Sequence, residues 1–185
     1  MDKGAENYRR YLAGDNSGLE QIIRDHKDGL IFYLRGFTDD ILQAEELAED
    51  TFVKLVTKRP RFNQRCKFKT WLYTIGRNIA VDHVRRKKQC FEIIYADVPE
   101  LADEEMNLEH AYIREERSIL LRRAIQKLKP EYRQVLWLIY FEGFTNREAA
   151  AIMKRSTHSV ETLVYRARLA LKLQLDEEDF IYEGL

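Results

Sequence analysis

The sequence has few of the residues that break helices or cross-link a fold. Its 185 residues include eight glycines, three prolines and two cysteines, Cys66 and Cys90. So few glycines and prolines encode few sharp turns, which favours an all-α fold. Two cysteines exclude a disulfide-based scaffold, and they do not form a zinc motif with His83, which lies between them, so we expect no metal site.

Long apolar segments are also missing. No stretch approaches the roughly 18 consecutive apolar residues of a membrane-spanning helix, so we expect no direct membrane insertion. The N-terminal segment has no apolar run either, so we expect no cleaved secretory signal. With so little cysteine, these features predict a reduced, cytoplasmic setting.

Motifs for bond chemistry are absent as well. The chain has no glycine-rich loop for nucleotide phosphates, and Asp82 and His83, which could form a base and its orienting acid, have no nucleophile at a motif spacing. We therefore expect neither an enzyme nor a cofactor. Cys66 lies among basic residues, which would lower the pKa of its thiol as a redox role requires.

The sequence does contain a large apolar fraction and an uneven charge distribution. Hydrophobic residues make up 45% of the chain, enough for a packed core, and the net charge is zero. Residues 53–88, however, carry 12 basic and one acidic side chain, and residues 118–175 carry 11 and four. The remaining segments are acidic. Two basic blocks that coincide with the most structured segments predict contact with phosphates, and the alternative is a merely solvated surface.

Apolar residues recur at helical spacing in the first half of the chain. The pattern covers residues 19–35 and again 41–56, where Val56 falls on the predicted inward stripe. Thr38 is the expected N-cap of the second of these helices. A third predicted helix begins at Thr70 and ends in a run of four basic residues.

The second half has sharper helix boundaries. Pro130 fits the first turn of a helix, and the run Tyr132–Phe141 is apolar almost all round, which predicts a central buried helix. Thr145 and Glu148 form a capping-box pattern that opens a short helix. After a tight turn another helix begins at about Thr157 and carries a polar, basic face. This order predicts a helix-turn-helix.

We predict two small helical domains joined by an acidic linker. The first covers residues 1–90, the linker 91–117 and the helix-turn-helix domain 118–175. Residues 176–185 form an acidic tail.

The segment Ala-Glu-Glu-Leu-Ala-Glu-Asp-Thr-Phe, residues 44–52, resembles a signature of the extracytoplasmic-function sigma factors, the small initiation subunits of bacterial RNA polymerase. Glu46 and Glu49 stand where that family usually has Asp and Gln, and both stay polar. In the family this helix binds the clamp coiled coil of the polymerase core. The resemblance assigns core binding to Glu45, Glu46, Glu49, Asp50 and Phe52.

Residues 68–88 resemble the family's F-x-T-W-L-Y-x-I-A-x-N-x-x-x-D-x-x-R-R pattern, with Gly76 in place of alanine. In the family this element and the loop before it open and read the −10 promoter element. The residue types agree, because capture of an unpaired base needs cations beside flat or apolar walls. Phe68 and Trp71 also lie near the inward stripe and could be core residues. The predicted contacts are Arg61, Phe62, Asn63, Gln64, Arg65, Lys67, Lys69, Trp71, Tyr73, Arg77, Arg85 and Arg86.

The segment Tyr165-Arg-Ala-Arg168 resembles the end of the family's second helix-turn-helix helix, which reads the −35 element in the major groove. Glu161 and Leu163 replace residues that are often basic in the family, and Leu163 lies on the predicted buried stripe. His158, Ser159 and Thr162 are placed to reach base edges, and the basic residues to bind phosphates. The full predicted set is Lys154, Arg155, His158, Ser159, Thr162, Arg166 and Arg168.

The resemblance covers about residues 15–175 and implies a sigma factor that binds core polymerase at the β′ clamp coiled coil and the β flap, recognises promoter DNA and captures the opened strand. It also implies an anti-sigma partner. Two alternatives stay open. A helix-turn-helix regulator of duplex operators would leave residues 61–88 without a role. A protein that mimics a sigma factor is favoured slightly by Glu161 and Leu163.

Overall fold

The computed structural model describes residues 2–38, 40–94, 121 and 124–177. Within these ranges every regular element is helical, as the composition predicts. Most of the predicted linker and the acidic tail from residue 178 onward lie outside the described residues. No described helix is long and apolar enough to cross a bilayer.

Four helices form the N-terminal bundle. They are α1 (Lys3–Leu12), α2 (Ser17–Leu34), α3 (Ile41–Lys58) and α4 (Phe68–Ile94). The sequence analysis did not predict α1. Asp2 explains both this helix and the early start of α4, because one of its carboxylate oxygens accepts from Ala5 N at 3.2 Å and the other from Phe68 N at 2.7 Å.

The predicted starts of two helices in this bundle are wrong, and α4 also continues to Ile94, beyond the basic run that was predicted to end it. The N-cap of α3 is Asp40, whose carboxylate accepts from Leu42 N at 2.9 Å, whereas the Thr38 hydroxyl donates to the Gln43 side chain. The next helix, α4, begins at Phe68 rather than Thr70. Both differences arise from hydrogen bonds that sequence periodicity does not encode.

The C-terminal bundle contains α5 (Pro130–Leu136), a π-helical turn π1 (Trp137–Phe141), α6 (Asn146–Met153) and α7 (Thr157–Glu177). Pro130 occupies the first turn of α5, and Thr145 and Glu148 form the predicted capping box. The prediction of one fully buried helix over Tyr132–Phe141 is wrong at its end. The backbone widens into π1, and Tyr140 and Phe141 are exposed.

The two bundles share one continuous hydrophobic core. Helix α6 packs against α4, and α5 and π1 pack against α2. The Gln134 side-chain amide donates to Gly36 O at 2.8 Å, and the Trp137 indole N–H donates to Gly29 O at 3.1 Å. This contact brings the predicted −10 surface and the start of the helix-turn-helix together.

Candidate polymerase and nucleic-acid interfaces

The outer face of α3 combines carboxylates with exposed apolar side chains. Glu45, Glu46, Glu49 and Asp50 are all exposed, as the sequence predicts. Phe52 is only 6% exposed, so its prediction as a surface contact is wrong; it faces the core beside Leu55.

Three apolar residues on this face were missed by the sequence analysis. Leu42 is 60% exposed, Val53 53% and Val56 43%. With Glu46 and Glu49 they alternate spacings of four and three residues, which is the pattern that faces a partner in a coiled coil. Val56 had been assigned to the inward stripe, but the register of α3 turns it to solvent. Spacing alone would have revealed this stripe. We call Leu42, Glu46, Glu49, Val53 and Val56 the α3 stripe.

The loop between α3 and α4 displays cationic and amide side chains. Arg61, Asn63, Gln64, Arg65 and Lys67 are exposed. The loop is ordered at its start by the Tyr8 hydroxyl, which donates to Pro60 O at 2.8 Å, and Gln64 adopts a left-handed backbone with φ 58°.

An aromatic cluster lies directly behind this loop. Phe62 packs on Trp71 with ring centroids 5.1 Å apart and meets Phe68 edge-on at 5.7 Å. Phe62 and Trp71 remain half-buried, whereas Phe68 is fully buried. Phe68 is therefore a core residue, and the other two offer partly open ring surface next to the cations. This combination suits an unpaired strand, which presents both phosphates and base faces.

The remaining predicted −10 residues differ in accessibility. Arg85 and Arg86 are exposed and turn toward Asp82, and Arg77 is half-buried. Tyr73 is fully buried between Tyr33 and Phe144, so its prediction as a surface side chain is wrong in this arrangement. In an isolated helix, the apolar spacing places Tyr73 outside the inward stripe. In the folded protein, Phe144 of the second bundle packs on it.

Cys66 does not have the environment that the sequence suggested. Burial raises the pKa of its thiol, and the carboxylates of Asp2 and Glu148 add to this effect. The expectation of a thiol activated by neighbouring cations is therefore wrong. Among the described residues there is also no cluster of three or more histidine, cysteine or acidic side chains that could hold a metal.

The helix-turn-helix places its predicted contacts in two groups. His158, Arg166 and Arg168 are exposed on α7, and Lys154 is exposed in the turn with a left-handed φ of 53°. Leu163 is buried, as predicted. Tyr165 is 71% exposed on α7. The sequence analysis did not predict it as a DNA contact, because it used this residue only as part of a family motif.

Three predicted −35 residues already have intramolecular partners. Arg155 forms an ion pair with Glu131 at 2.6 Å, and the Thr162 hydroxyl donates to His158 O at 3.0 Å. Ser159 is half-buried, and its backbone N–H donates to the hydroxyl of Ser156, the residue that precedes α7.

Two lysines of the predicted −10 surface are paired with carboxylates of the second bundle. Lys69 Nζ lies 2.8 Å from a Glu142 carboxylate oxygen, and Lys67 Nζ lies 3.0 Å from one of Glu148. Burial alone would raise the pKa of Glu148. The hydrogen bonds from Thr145 and Lys67 outweigh it, so the pKa of this carboxyl is lowered.

Most of the chain is similar to known protein families. Residues 22–90 match Sigma-70 region 2, and residues 118–171 match Sigma-70 region 4. The chain is 32% identical over 157 residues to RNA polymerase sigma factor YlaC of Bacillus subtilis (strain 168), with 83% of this chain and 90% of that protein covered. It is 27% identical over 173 residues to the ECF RNA polymerase sigma factor SigW of the same strain, with 88% and 91% covered.

Solved structures share the fold. The sigma factor RpoE, in its co-crystal structure with the anti-sigma factor NepR from Bartonella quintana, aligns with a TM-score of 0.67 at 23% identity, covering 85% of this chain and 96% of that one. The structure of CnrH in complex with the cytosolic domain of CnrY aligns with a TM-score of 0.62 at 24% identity, covering 95% and 97%.

Proposed function

This chain belongs to the extracytoplasmic-function sigma factors of the sigma-70 family, which direct RNA polymerase to specific promoters, and we propose that it does so through three separate surfaces. The α3 stripe binds the clamp coiled coil of the polymerase core. The loop before α4, with the aromatic cluster behind it, captures the opened strand of the −10 element. The exposed face of α7 binds the −35 element. Residues 1–90 and 118–175 act as the two domains, and residues 91–117 link them.

The observation that carries this proposal is the loop of exposed cations and amides in front of Phe62 and Trp71. A surface for duplex DNA alone needs phosphate contacts and groups that reach base edges. Half-buried rings beside cations add a stacking surface, which is worth about 1–3 kcal/mol per base and is useful only when bases are unpaired. A regulator that bound only duplex operators would have no use for this surface.

The mechanism is binding rather than bond chemistry. Two modest sites on one chain gain avidity when the distance between promoter elements suits both. Polymerase, in this scheme, holds both domains on one DNA molecule, and the captured strand keeps the promoter open. The protein then works in the cytoplasm with polymerase, contacts the β flap through its second domain and is regulated by an anti-sigma partner.

The test uses core polymerase and a promoter template whose −10 region is already unpaired. Arg61→Ala with Arg65→Ala removes two exposed cations of the loop, and we expect occupancy of the bubble to fall about tenfold, or ~1.4 kcal/mol. The matched control, Arg24→Ala with Lys27→Ala, removes two exposed cations of α2 and should keep wild-type occupancy. Equal occupancy for both pairs would overturn the strand-capture assignment.

The two alternative functions have different signatures. Run-off transcription that depends on added protein supports the initiation factor. A protein that binds core polymerase but yields no transcript from any promoter in a genomic library would be a sigma mimic. Tight binding to a palindromic duplex without polymerase would indicate an operator-binding regulator.

A further inference from the structure

Helix α1 lies outside the residues that carry the family match, yet it contacts the strand-capture surface. The match to Sigma-70 region 2 begins at residue 22, whereas α1 ends at Leu12. Its buried side chains, Ala5, Tyr8 and Tyr11, lie on a helix that packs against both α2 and α4. The proposed function gives this helix no role, although its contacts are concentrated around the loop that precedes α4.

The start of the α3–α4 loop, residues 59–67, is bound to α1. The hydroxyl of Tyr8, a residue that is 1% exposed, donates to Pro60 O at 2.8 Å. Burial raises the pKa of Tyr8 to about 12, so the hydroxyl stays protonated and keeps donating at physiological pH. Arg59 has a left-handed backbone, and its guanidinium carbon lies 5.6 Å from the ring centroid of Tyr11.

The end of the same loop is bound to α1 as well. One carboxylate oxygen of Asp2 accepts from Ala5 N at 3.2 Å, and the other accepts from Phe68 N at 2.7 Å. Phe68 is the first residue of α4, so a single negative charge lies at the N-terminal ends of two helices, where it is stabilising. Asp2 and Tyr8 therefore hold the two ends of one loop.

The aromatic cluster of the strand-capture surface also rests on α1. The ring centroid of Tyr8 lies 5.5 Å from that of Phe68 and 5.4 Å from that of Trp71. Phe62 packs on the same two rings from the loop. A Cβ at Gly4 would lie 2.5 Å from Cδ1 of Phe68, so glycine allows α1 to approach this closely. The rings beside the loop cations are thus supported from behind by Tyr8.

The loop contains one local turn of its own. The Arg65 backbone N–H donates to Asn63 Oδ1 at 3.2 Å, and Gln64 between them has a φ of 58°. Such a turn orders three residues but does not fix the direction in which the whole loop leaves the bundle. A loop that had to be ordered during binding would weaken the affinity for its ligand, so anchors that form beforehand strengthen it.

We propose that Asp2 and Tyr8 are positioning residues for strand capture, which fix the α3–α4 loop before DNA binds, so that its cations and Phe62 meet an unpaired base in one defined arrangement. The inference rests on the proposed function, because that function assigns the loop to the opened strand. Neither side chain acts by touching DNA, since Tyr8 is buried and the Asp2 carboxylate would repel phosphates. A loop without these anchors samples several arrangements and distinguishes bases less well.

The first test measures base discrimination by the full chain bound to core polymerase. Occupancy is compared across bubble templates that carry each of the four bases in turn at each unpaired −10 position. Tyr8→Phe removes only a hydroxyl, and we expect affinity for the best template and the ratio of best to worst base each to fall about fivefold. The matched control is Tyr33→Phe, which removes a buried hydroxyl that has no hydrogen-bond partner among the described residues. It should keep both wild-type values.

The second test measures the order of the loop without DNA. Cys66 is exposed near the end of the loop, and with Cys90→Ser it is the only thiol of the full chain, so it can carry a nitroxide spin label. Asp2→Asn keeps a good N-cap for α1 but removes the charge at the start of α4. We expect electron paramagnetic resonance to show a more mobile label with Asp2→Asn or Tyr8→Phe than in the wild type. Tyr33→Phe should leave the spectrum unchanged.

The outcomes separate this inference from the proposed function. The inference requires weaker base discrimination and a more mobile label together, and either change alone overturns it. A lower urea midpoint with both properties unchanged also contradicts it, because the anchors would then contribute only to stability. If Asp2→Asn loses helical circular dichroism, Tyr8→Phe decides alone. If Arg61→Ala with Arg65→Ala leaves bubble occupancy unchanged, the proposed strand capture fails, whatever the anchor variants show.

Discussion

The basic residues of the two bundles are organised differently. In the N-terminal bundle, cations surround half-buried rings, and Lys67 and Lys69 are paired with carboxylates across the inter-bundle contact. In the C-terminal bundle, Arg166 and Arg168 project from the outer face of α7 and are exposed. The first arrangement suits an unpaired strand, and two of its lysines already contact the second bundle. The second arrangement suits duplex phosphates.

The largest expected effect tests whether the two bundles fold as one unit. Phe68 is fully buried against Tyr8 and Trp71, so Phe68→Ala should cost about 3–5 kcal/mol of unfolding free energy. Because the core is continuous, urea unfolding followed by circular dichroism should show one transition at a lower midpoint. Two separate transitions, with one unchanged from wild type, would show that the bundles are independent.

The next expected effect separates polymerase binding from both DNA surfaces. Glu46→Lys with Glu49→Lys reverses two exposed charges of the α3 stripe and should weaken binding to core polymerase about tenfold or more, ~1.4 kcal/mol. Fluorescence anisotropy with labelled protein measures this affinity. The control, Glu20→Lys with Asp28→Lys on α2, makes the same charge change elsewhere. Unchanged affinity of the α3 variant, with normal circular dichroism, would remove the assignment.

A smaller change tests the duplex surface alone. Arg166→Ala with Arg168→Ala should weaken binding of a promoter duplex and lower the slope of log affinity against log salt by about 2, one unit for each phosphate contact. Affinity for a single strand should not change. A variant that keeps the wild-type salt slope would place the −35 contacts elsewhere on the protein.

The smallest expected effect concerns pH. Burial lowers the pKa of His26, and the nearby Lys69 lowers it further. The folded state therefore binds protons less readily than the unfolded chain, so stability is full above the ordinary histidine pKa and falls as the pH drops below it. Comparison of urea midpoints at about pH 7.5 and 5.5 should show the loss, and His26→Gln should reduce it. A pH dependence that survives this substitution would assign the effect to other groups.

Local features of the sequence predicted much of the C-terminal bundle. Pro130 at a helix start and the reciprocal capping of Thr145 and Glu148 depend on residues within one turn of each other. These start signals act within the helix that they begin, so the local sequence pattern is sufficient to predict where each helix starts. The prediction that Leu163 is buried is confirmed for the same reason, because its position on the apolar stripe of a single helix is sufficient to place it in the core.

The misplaced residues depend on distant partners. Helix α1 and the start of α4 share the Asp2 carboxylate across 66 positions of the sequence, and no local pattern contains that information. Tyr73 was assigned to the wrong environment because periodicity gives the stripe of a helix but not which neighbour covers it. Val56, in contrast, was misassigned although the spacing within α3 places it on the exposed stripe. The predicted contact sets for polymerase and DNA remain predictions for the experiments above.

The all-α fold, the helix-turn-helix and the family were determined by the sequence alone, because helix spacing, caps and short motifs act over a few residues. The tertiary structure alone decided that Glu142 and Glu148 meet Lys69 and Lys67, and that Gly29 and Gly36 leave space for this contact. Those partners are brought together by burial of a shared apolar core, a property of the whole chain that no single segment encodes.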